Sequence, residues 1–167
     1  MDDLQKLVAI ESIKKTKARY WYGVDRKDWA MLADTFCEDA KFDIRGERDL
    51  KPGELYDKLP PYEEALAAGD ELVQKGRENI IRFIRSVIEH WVTVHQGWGF
   101  IIDFISDDRA KVIVPQIDYI DDGEHIMRGH GHYFEVFRKD PDGVWRIEDY
   151  VLSRTRMDGD HPATFGR

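Results

Sequence analysis

Cysteine is almost missing from this chain: Cys37 is the single thiol among 167 residues. An intrachain disulfide is therefore excluded, and so is any zinc site built on several thiolates. Long apolar runs are missing too, and none approaches the roughly 20 residues that a membrane span requires. The N-terminus shows no cationic-then-apolar leader. With the lone thiol, these features lead us to expect a mature cytoplasmic domain. Positive charge is also in short supply, with 25 Lys and Arg against 33 Asp and Glu, a net charge of -8 and an isoelectric point near 5.2. No basic stripe offers itself to a phosphate backbone, so nucleic acid is excluded as a partner. Internal repeats, low-complexity tracts, a Gly-rich phosphate loop, a nucleophile elbow and a His-Glu-x-x-His motif are all absent.

What is present suits one domain spanning 1–167, since 42% hydrophobic and 12% aromatic content can supply a core. Leu4, Leu7, Val8, Ile10 and Ile13 recur at helical spacing, with Lys6, Lys14, Lys15 and Lys17 placed on the remaining surface. Gly23 suits the left-handed conformation that closes a helix, and Asp28 suits the cap of a short second helix near Trp29 to Phe36. Such a stop at Gly23 matters because Tyr20 and Asp25 would diverge around an unbroken helix. Lys41 to Arg45 alternates like a half-buried strand. Residues 46–75 hold three of the six prolines and a weak helical signal at Glu63 to Ala68, and read as a surface excursion or lid.

Gly76 to Glu89 has the spacing of a helix, and four strand-like segments follow: Trp91 to Ile105, Ala110 to Ile120, His125 to Arg138 and Gly143 to Arg156. Short turns between them imply an antiparallel meander. Helices followed by such strands predict an α+β fold in which a curved sheet wraps against the helices and leaves a cavity.

Four pieces carry a resemblance to a known family: Tyr20-x4-Asp25, the Phe36-Cys37-Glu38-Asp39-Ala40 step, His95, and Asp142-Gly143-Val144-Trp145-Arg146-Ile147. Across about residues 10–45 and 78–156 the chain resembles the SnoaL-like group of the nuclear transport factor 2-like superfamily. Within it, the similarity is to the cofactor-independent scytalone dehydratase, bile acid 7α-dehydratase and hexachlorocyclohexane dehydrochlorinase; Gly129-His130-Gly131-His132 echoes the Gly-His-x-His strand of the first. The resemblance implies a cone-shaped half-barrel with a mixed, mainly antiparallel sheet and an apolar pocket, no cofactor, and a homo-oligomer, a trimer ahead of a dimer. It also implies a site at Tyr20, Asp25, His95, Asp118 and Arg154.

The residue types suit that site. A His-Asp pair makes a general base, and the alternative for His95 is a core imidazole satisfied by backbone. Tyr20 offers a hydrogen bond to a substrate carbonyl or packs as a core aromatic. Asp118 is either an acid for a departing hydroxyl, a positioner of His95, or an ordinary strand-end residue. Arg154 either clamps a substrate carboxylate or holds Asp118, and an inward Arg154 requires a bulge or twist after Tyr150. His130 and His132 share a strand face but lack a third metal ligand, so no metal is expected and Met127, Gly129, Gly131 and Tyr133 are turned toward the pocket. The expectation is a lyase of dehydratase type acting on an apolar cyclic hydroxyketone or similar small molecule. An isomerase or polyketide cyclase using the same groups, and a non-catalytic binding or structural subunit, stay open beside it.

Overall fold

The computed structural model describes residues 1–48 and 59–159. Helix α1 (Asp3–Arg26) and the short α2 (Trp29–Ala33) lead into strand β1 (Phe36–Asp43) and a 3-10 turn, Arg45–Arg48. Helix α3 (Tyr62–Ala67), strand β2 (Val73–Lys75) and helix α4 (Arg77–Ile88) follow. The chain then continues through β3 (Val92–Gly97), β4 (Ile101–Phe104), β5 (Arg109–Asp121), β6 (Ile126–Lys139) and β7 (Trp145–Gly159). Together the strands form one open seven-stranded sheet in the order β2-β1-β7-β6-β5-β3, with β4 also on β5. Every pairing is antiparallel except β1 on β7. This is the α+β arrangement expected, a mixed and mainly antiparallel sheet with helices on its inner face. Among the described residues no helix is long and apolar enough to cross a membrane.

Helix α1 differs from its sequence expectation in two ways. It runs straight through Gly23 and ends at Lys27, whose φ of 58° closes the helix in the left-handed region. Gly23 serves packing instead: a Cβ there would press on the backbone of Leu32 at 3.1 Å, so its absence lets α2 fold back against α1. Asp28 caps α2 as expected, accepting from Met31 N–H at 3.0 Å. The second difference is rotational. Leu4, Leu7 and Val8 are 71%, 60% and 60% exposed, whereas Lys17 is wholly buried beside Ile13, Thr16 and Tyr20.

Lys17 is held inside by Glu135 on β6, Nζ to Oε1 at 2.6 Å, and lies 3.5 Å from the ring centre of Tyr133 and 4.2 Å from that of Tyr20. Burial pushes the ammonium down to about 8 against the opposing pull of Glu135, and burial likewise raises the Glu135 carboxyl. Both shifts favour neutral forms and reflect the cost of removing the pair from water.

Residues 46–75 depart from a plain surface excursion. The 49–58 stretch lies outside the described residues. Beyond it, Ala65, Leu72 and Val73 are buried, and Val73–Lys75 joins the sheet opposite Lys41–Asp43. Strand β1 begins at Phe36, earlier than the Lys41 expected, and the segment read as one strand from Trp91 to Ile105 is two, separated at Gly99, where φ is 75°. Trp98, beside that break, is 60% exposed.

Strand β7 carries register shifts against β6. One lies between Ile147 and Asp149, where Glu148 is the extra residue, and another lies at Thr155. The first flips the inward parity, so Ile147 and then Tyr150, Leu152 and Arg154 all face the interior. The irregularity needed for an inward Arg154 is thus present, just before Tyr150 rather than after it.

The buried pair supplies a test of the packing. Lys17→Met is expected to lower stability by about 3–5 kcal/mol because Glu135 is left buried without a counter-charge, while Lys17→Met with Glu135→Leu recovers most of that loss. Urea unfolding of the three proteins measures both. Equal losses in the single and double variants would contradict this account.

Candidate active site

Asp25, in the last turn of α1, points at the start of β3. Its Oδ1 accepts from Thr93 Oγ1 at 3.0 Å and lies 2.7 Å from His95 Nδ1, and its Oδ2 accepts from His95 N–H at 2.8 Å. The carboxylate therefore fixes both the backbone and the ring of His95. With Nδ1–H donated to Asp25, Nε2 is the nitrogen left to accept a proton. Lys27 folds back from the helix end to donate to Thr93 Oγ1 at 2.9 Å and to Val24 O at 3.1 Å. Partial burial lowers its pKa against the pull of Asp25.

A cavity of about 70 Å³ opens beside this pair. Tyr20, Val24, Thr93 and His95 line one side, and Phe83, Ile84, Val87 and Ile88 of α4 line another. Asp118, Arg154, Glu47, Tyr133 and Tyr150 close the polar end, with the remainder apolar. Asp25 is not a lining residue; it stands behind His95. This resolves the geometry of Tyr20 and Asp25 on one unbroken helix, since Tyr20 faces the cavity while Asp25 faces the imidazole's rear nitrogen.

Tyr20 Oη lies 3.0 Å from Tyr150 Oη, and the rings of Tyr20, Tyr133 and Tyr150 pack with centroids 5.2 to 6.2 Å apart. Burial raises the pKa of Tyr20, with the Tyr150 bond pulling the other way. Burial also lifts Tyr133 and Tyr150 well above the ordinary phenol. All three stay protonated at neutral pH and can donate.

Asp118 and Arg154 meet at 2.7 Å through Oδ2 and Nη1. Glu47, from the 3-10 turn, takes the other edge of the guanidinium through both carboxylate oxygens. Burial works to lower the Arg154 pKa, but Asp118 and Glu47 outweigh it and hold it above its usual value. Arg154 thus holds Asp118, one of the two roles open to it from sequence. Asp118 also accepts from Gly129 N–H at 3.0 Å.

Met127, Gly129 and Gly131 face inward but do not line the cavity, unlike Tyr133. A Cβ on Gly129 would overlap Arg154 and Asp118, and one on Gly131 would overlap the Ser153 carbonyl. Their absent side chains make room for an ion pair and for the β7 backbone rather than for a ligand. His130 and His132 face outward, with His130 Nε2 3.7 Å from Asp158. Among the described residues no three His, Cys, Asp or Glu side chains gather as a metal-binding set.

Sequence reasoning missed Thr93, Gln116, Tyr150 and Glu47. Thr93 and Gln116 were readable, because Thr93 lies two residues before His95, and Gln116 interrupts the inward apolar series Ala110, Val112, Val114 along β5. Tyr150 needed the parity flip at Glu148 to be known. Glu47 sits in an irregular turn, where no periodicity points anywhere.

No curated protein matches the chain in sequence. Among solved structures, it is similar to a putative scytalone dehydratase from Novosphingobium aromaticivorans, with TM-score 0.72 and 19% identity over 95% of this chain and 91% of that one. A hexachlorocyclohexane dehydrochlorinase from Novosphingobium barchaimii has TM-score 0.72 and 17% identity over 95% and 94%. The ActVI-ORFA protein from Streptomyces coelicolor has TM-score 0.63 and 13% identity over 88% and 97%. At such identities these likenesses establish the fold. A family model for the SnoaL-like domain matches residues 5–151, and the chain belongs to that family.

Proposed function

We propose that this protein is a cofactor-independent lyase of dehydratase type acting on an apolar cyclic hydroxyketone or related small molecule. The observation that carries the reading is the Asp25–His95 pair at 2.7 Å, with His95 on the wall of a largely apolar cavity and Tyr20 on the same wall. His95 Nε2 removes a proton from the carbon beside the carbonyl. Asp25 orients the ring and balances the imidazolium that results. Tyr20 donates to the carbonyl oxygen as it gains enolate charge, while its own oxygen accepts from Tyr150, which strengthens the donation. The enolate then expels the β-hydroxyl, and His95 returns the proton so that the group leaves as water. Asp118 is occupied by Arg154 and Gly129 N–H, so its part is to hold the polar end of the cavity rather than to supply this proton. The same proton abstraction serves an isomerase or a cyclase.

Likeness to a putative scytalone dehydratase and a hexachlorocyclohexane dehydrochlorinase supports elimination chemistry. One observation favours a second reading, a non-catalytic subunit: about 70 Å³ is far below the roughly 300–1,000 Å³ of ordinary ligand sites. Under the lyase reading Phe83 and Val87, the half-buried lining residues of α4, move outward to admit substrate. A lone thiol agrees with a cytoplasmic setting, and the exposed outer sheet face with a homo-oligomer, a trimer ahead of a dimer.

Screening cyclic hydroxyketones for water loss tests the proposal. With an active substrate in hand, His95→Ala should lower kcat by about 100-fold to 10,000-fold, and Asp25→Asn by less, because the base remains but loses its orientation and counter-charge. Tyr20→Phe should also cost less than His95→Ala. Full turnover by a folded His95→Ala protein would remove the mechanism.

Tyr150→Phe tests the supporting hydroxyl. A fall in kcat smaller than that of Tyr20→Phe, with KM little changed, is the expected result. An effect larger than that of Tyr20→Phe would make Tyr150 the donor to substrate instead.

A further inference from the structure

Helix α1 is turned so that polar side chains face the sheet and apolar ones face out. Its buried face carries Thr16 and Lys17 beside Ile13 and Tyr20, while Leu4, Val8 and Tyr22 are 71%, 60% and 55% exposed. The outer residues form a regular line: Leu4, Val8, Glu11, Lys15, Ala18 and Tyr22 are all exposed and follow one another at intervals of four, three, four, three and four positions. That mean spacing of about 3.5 residues is the repeat of a seam between two helices. A helix facing only water has no use for it.

The line is complementary to itself when read in reverse. Antiparallel pairing centred on position 13 sets Leu4 against Tyr22 of a second copy, Val8 against Ala18 and Glu11 against Lys15. Each match occurs twice by symmetry, so the central layers are ion pairs and the outer ones are apolar. Parallel pairing instead stacks Glu11 on Glu11 and Lys15 on Lys15, which like charge opposes. Beside the seam, Leu7, 60% exposed, falls against the half-buried Trp21 of the second copy. Lys14 is kept by Glu11 of its own helix at 2.8 Å. Antiparallel order also sets the positive end of each helix dipole beside the negative end of the other.

We infer that the outer face of α1 is a twofold interface, on which a second copy of this chain lays its own α1 antiparallel, Leu4 on Tyr22 and Glu11 on Lys15. A second copy is the occupant because it supplies the reversed order of charge and apolar groups that a self-matching contact requires. The pairing is independent of the reading of the cavity, since α1 turns its other side to the sheet and the cavity. An assembly that contains it has an even number of copies: a dimer, or a hexamer where the outer sheet face adds a threefold contact.

Sedimentation equilibrium up to about 200 µM tests this on the full chain and its charge-reversed variants. The native protein should have an even copy number. Glu11→Lys and Lys15→Glu should each halve the mass and weaken pairing by at least about tenfold, because one makes the centre all basic and the other all acidic. Mixing the two variants should restore the native mass, and so should both reversals in one chain. Register is read by oxidising a mixture of Val8→Cys and Ala18→Cys proteins, which should cross-link to each other and not to themselves, since like positions lie about 15 Å apart along the seam. Cys37 is buried and stays out of the reaction. A native protein that is monomeric or trimeric at the highest concentration would overturn the inference. So would an even-numbered assembly that either single reversal leaves intact, or one that neither the mixture nor the doubly reversed chain restores.

Discussion

Helix α1 is seated on the inner face of the sheet by polar side chains, and the position of everything in the cavity depends on that seat. Thr16 donates to the Trp145 carbonyl at 2.7 Å, Lys17 pairs with Glu135, Tyr20 meets the Tyr150 hydroxyl, and Asp25 takes up Thr93 and His95. Each bond lands on a different part of the sheet: the start of β7, the middle of β6, the middle of β7 and β3. Apolar packing is tolerant of small rotations, but a buried polar group that misses its partner forfeits the water it gave up, at about 1–3 kcal/mol or more for a charge. Four such side chains along one helix therefore define its rotation and depth closely. The same rotation leaves Leu4, Leu7 and Val8 exposed at the N-terminal end.

The cavity that results has two polar regions of opposite design. The Asp25–His95 pair leaves the other ring nitrogen of His95 without a hydrogen-bond partner among the described residues. The Arg154 cluster directs its donors to Glu47, Asp118 and Gln116. The tyrosine hydroxyls of the cavity are kept protonated by burial.

Much of the fold was legible from residue pattern. The long alternating strands after Arg109, the Asp-Gly turns between them and the amphipathic α4 all lie where period and turn chemistry place them. Of the site, Tyr20, Asp25, His95, Asp118 and Arg154 were reached through resemblance and are gathered at one end of the cone. The inward face of β5 could have shown more, because Gln116 and Asp118 stand in an otherwise apolar series. Gly129 and Gly131 were misassigned for a definite reason: a strand glycine signals that something approaches closely, and pattern does not say whether it is a ligand, an ion pair or a neighbouring backbone.

Composition and local pattern by themselves determined the order of α1, α2 and α4, the antiparallel meander after Arg109, the capping of α2 by Asp28 and the exclusion of an intrachain disulfide, because these depend on neighbours along the chain. Tertiary structure alone decided that α1 passes through Gly23, that Lys17 is buried and Leu4 exposed, that the parity of β7 flips at Glu148, and that Glu47 closes on Arg154. Those outcomes turn on which groups lie opposite one another across a sheet or between a helix and a strand. A residue such as Lys17 carries no local mark of its partner 118 positions away, and only the folded chain brings the two charges together.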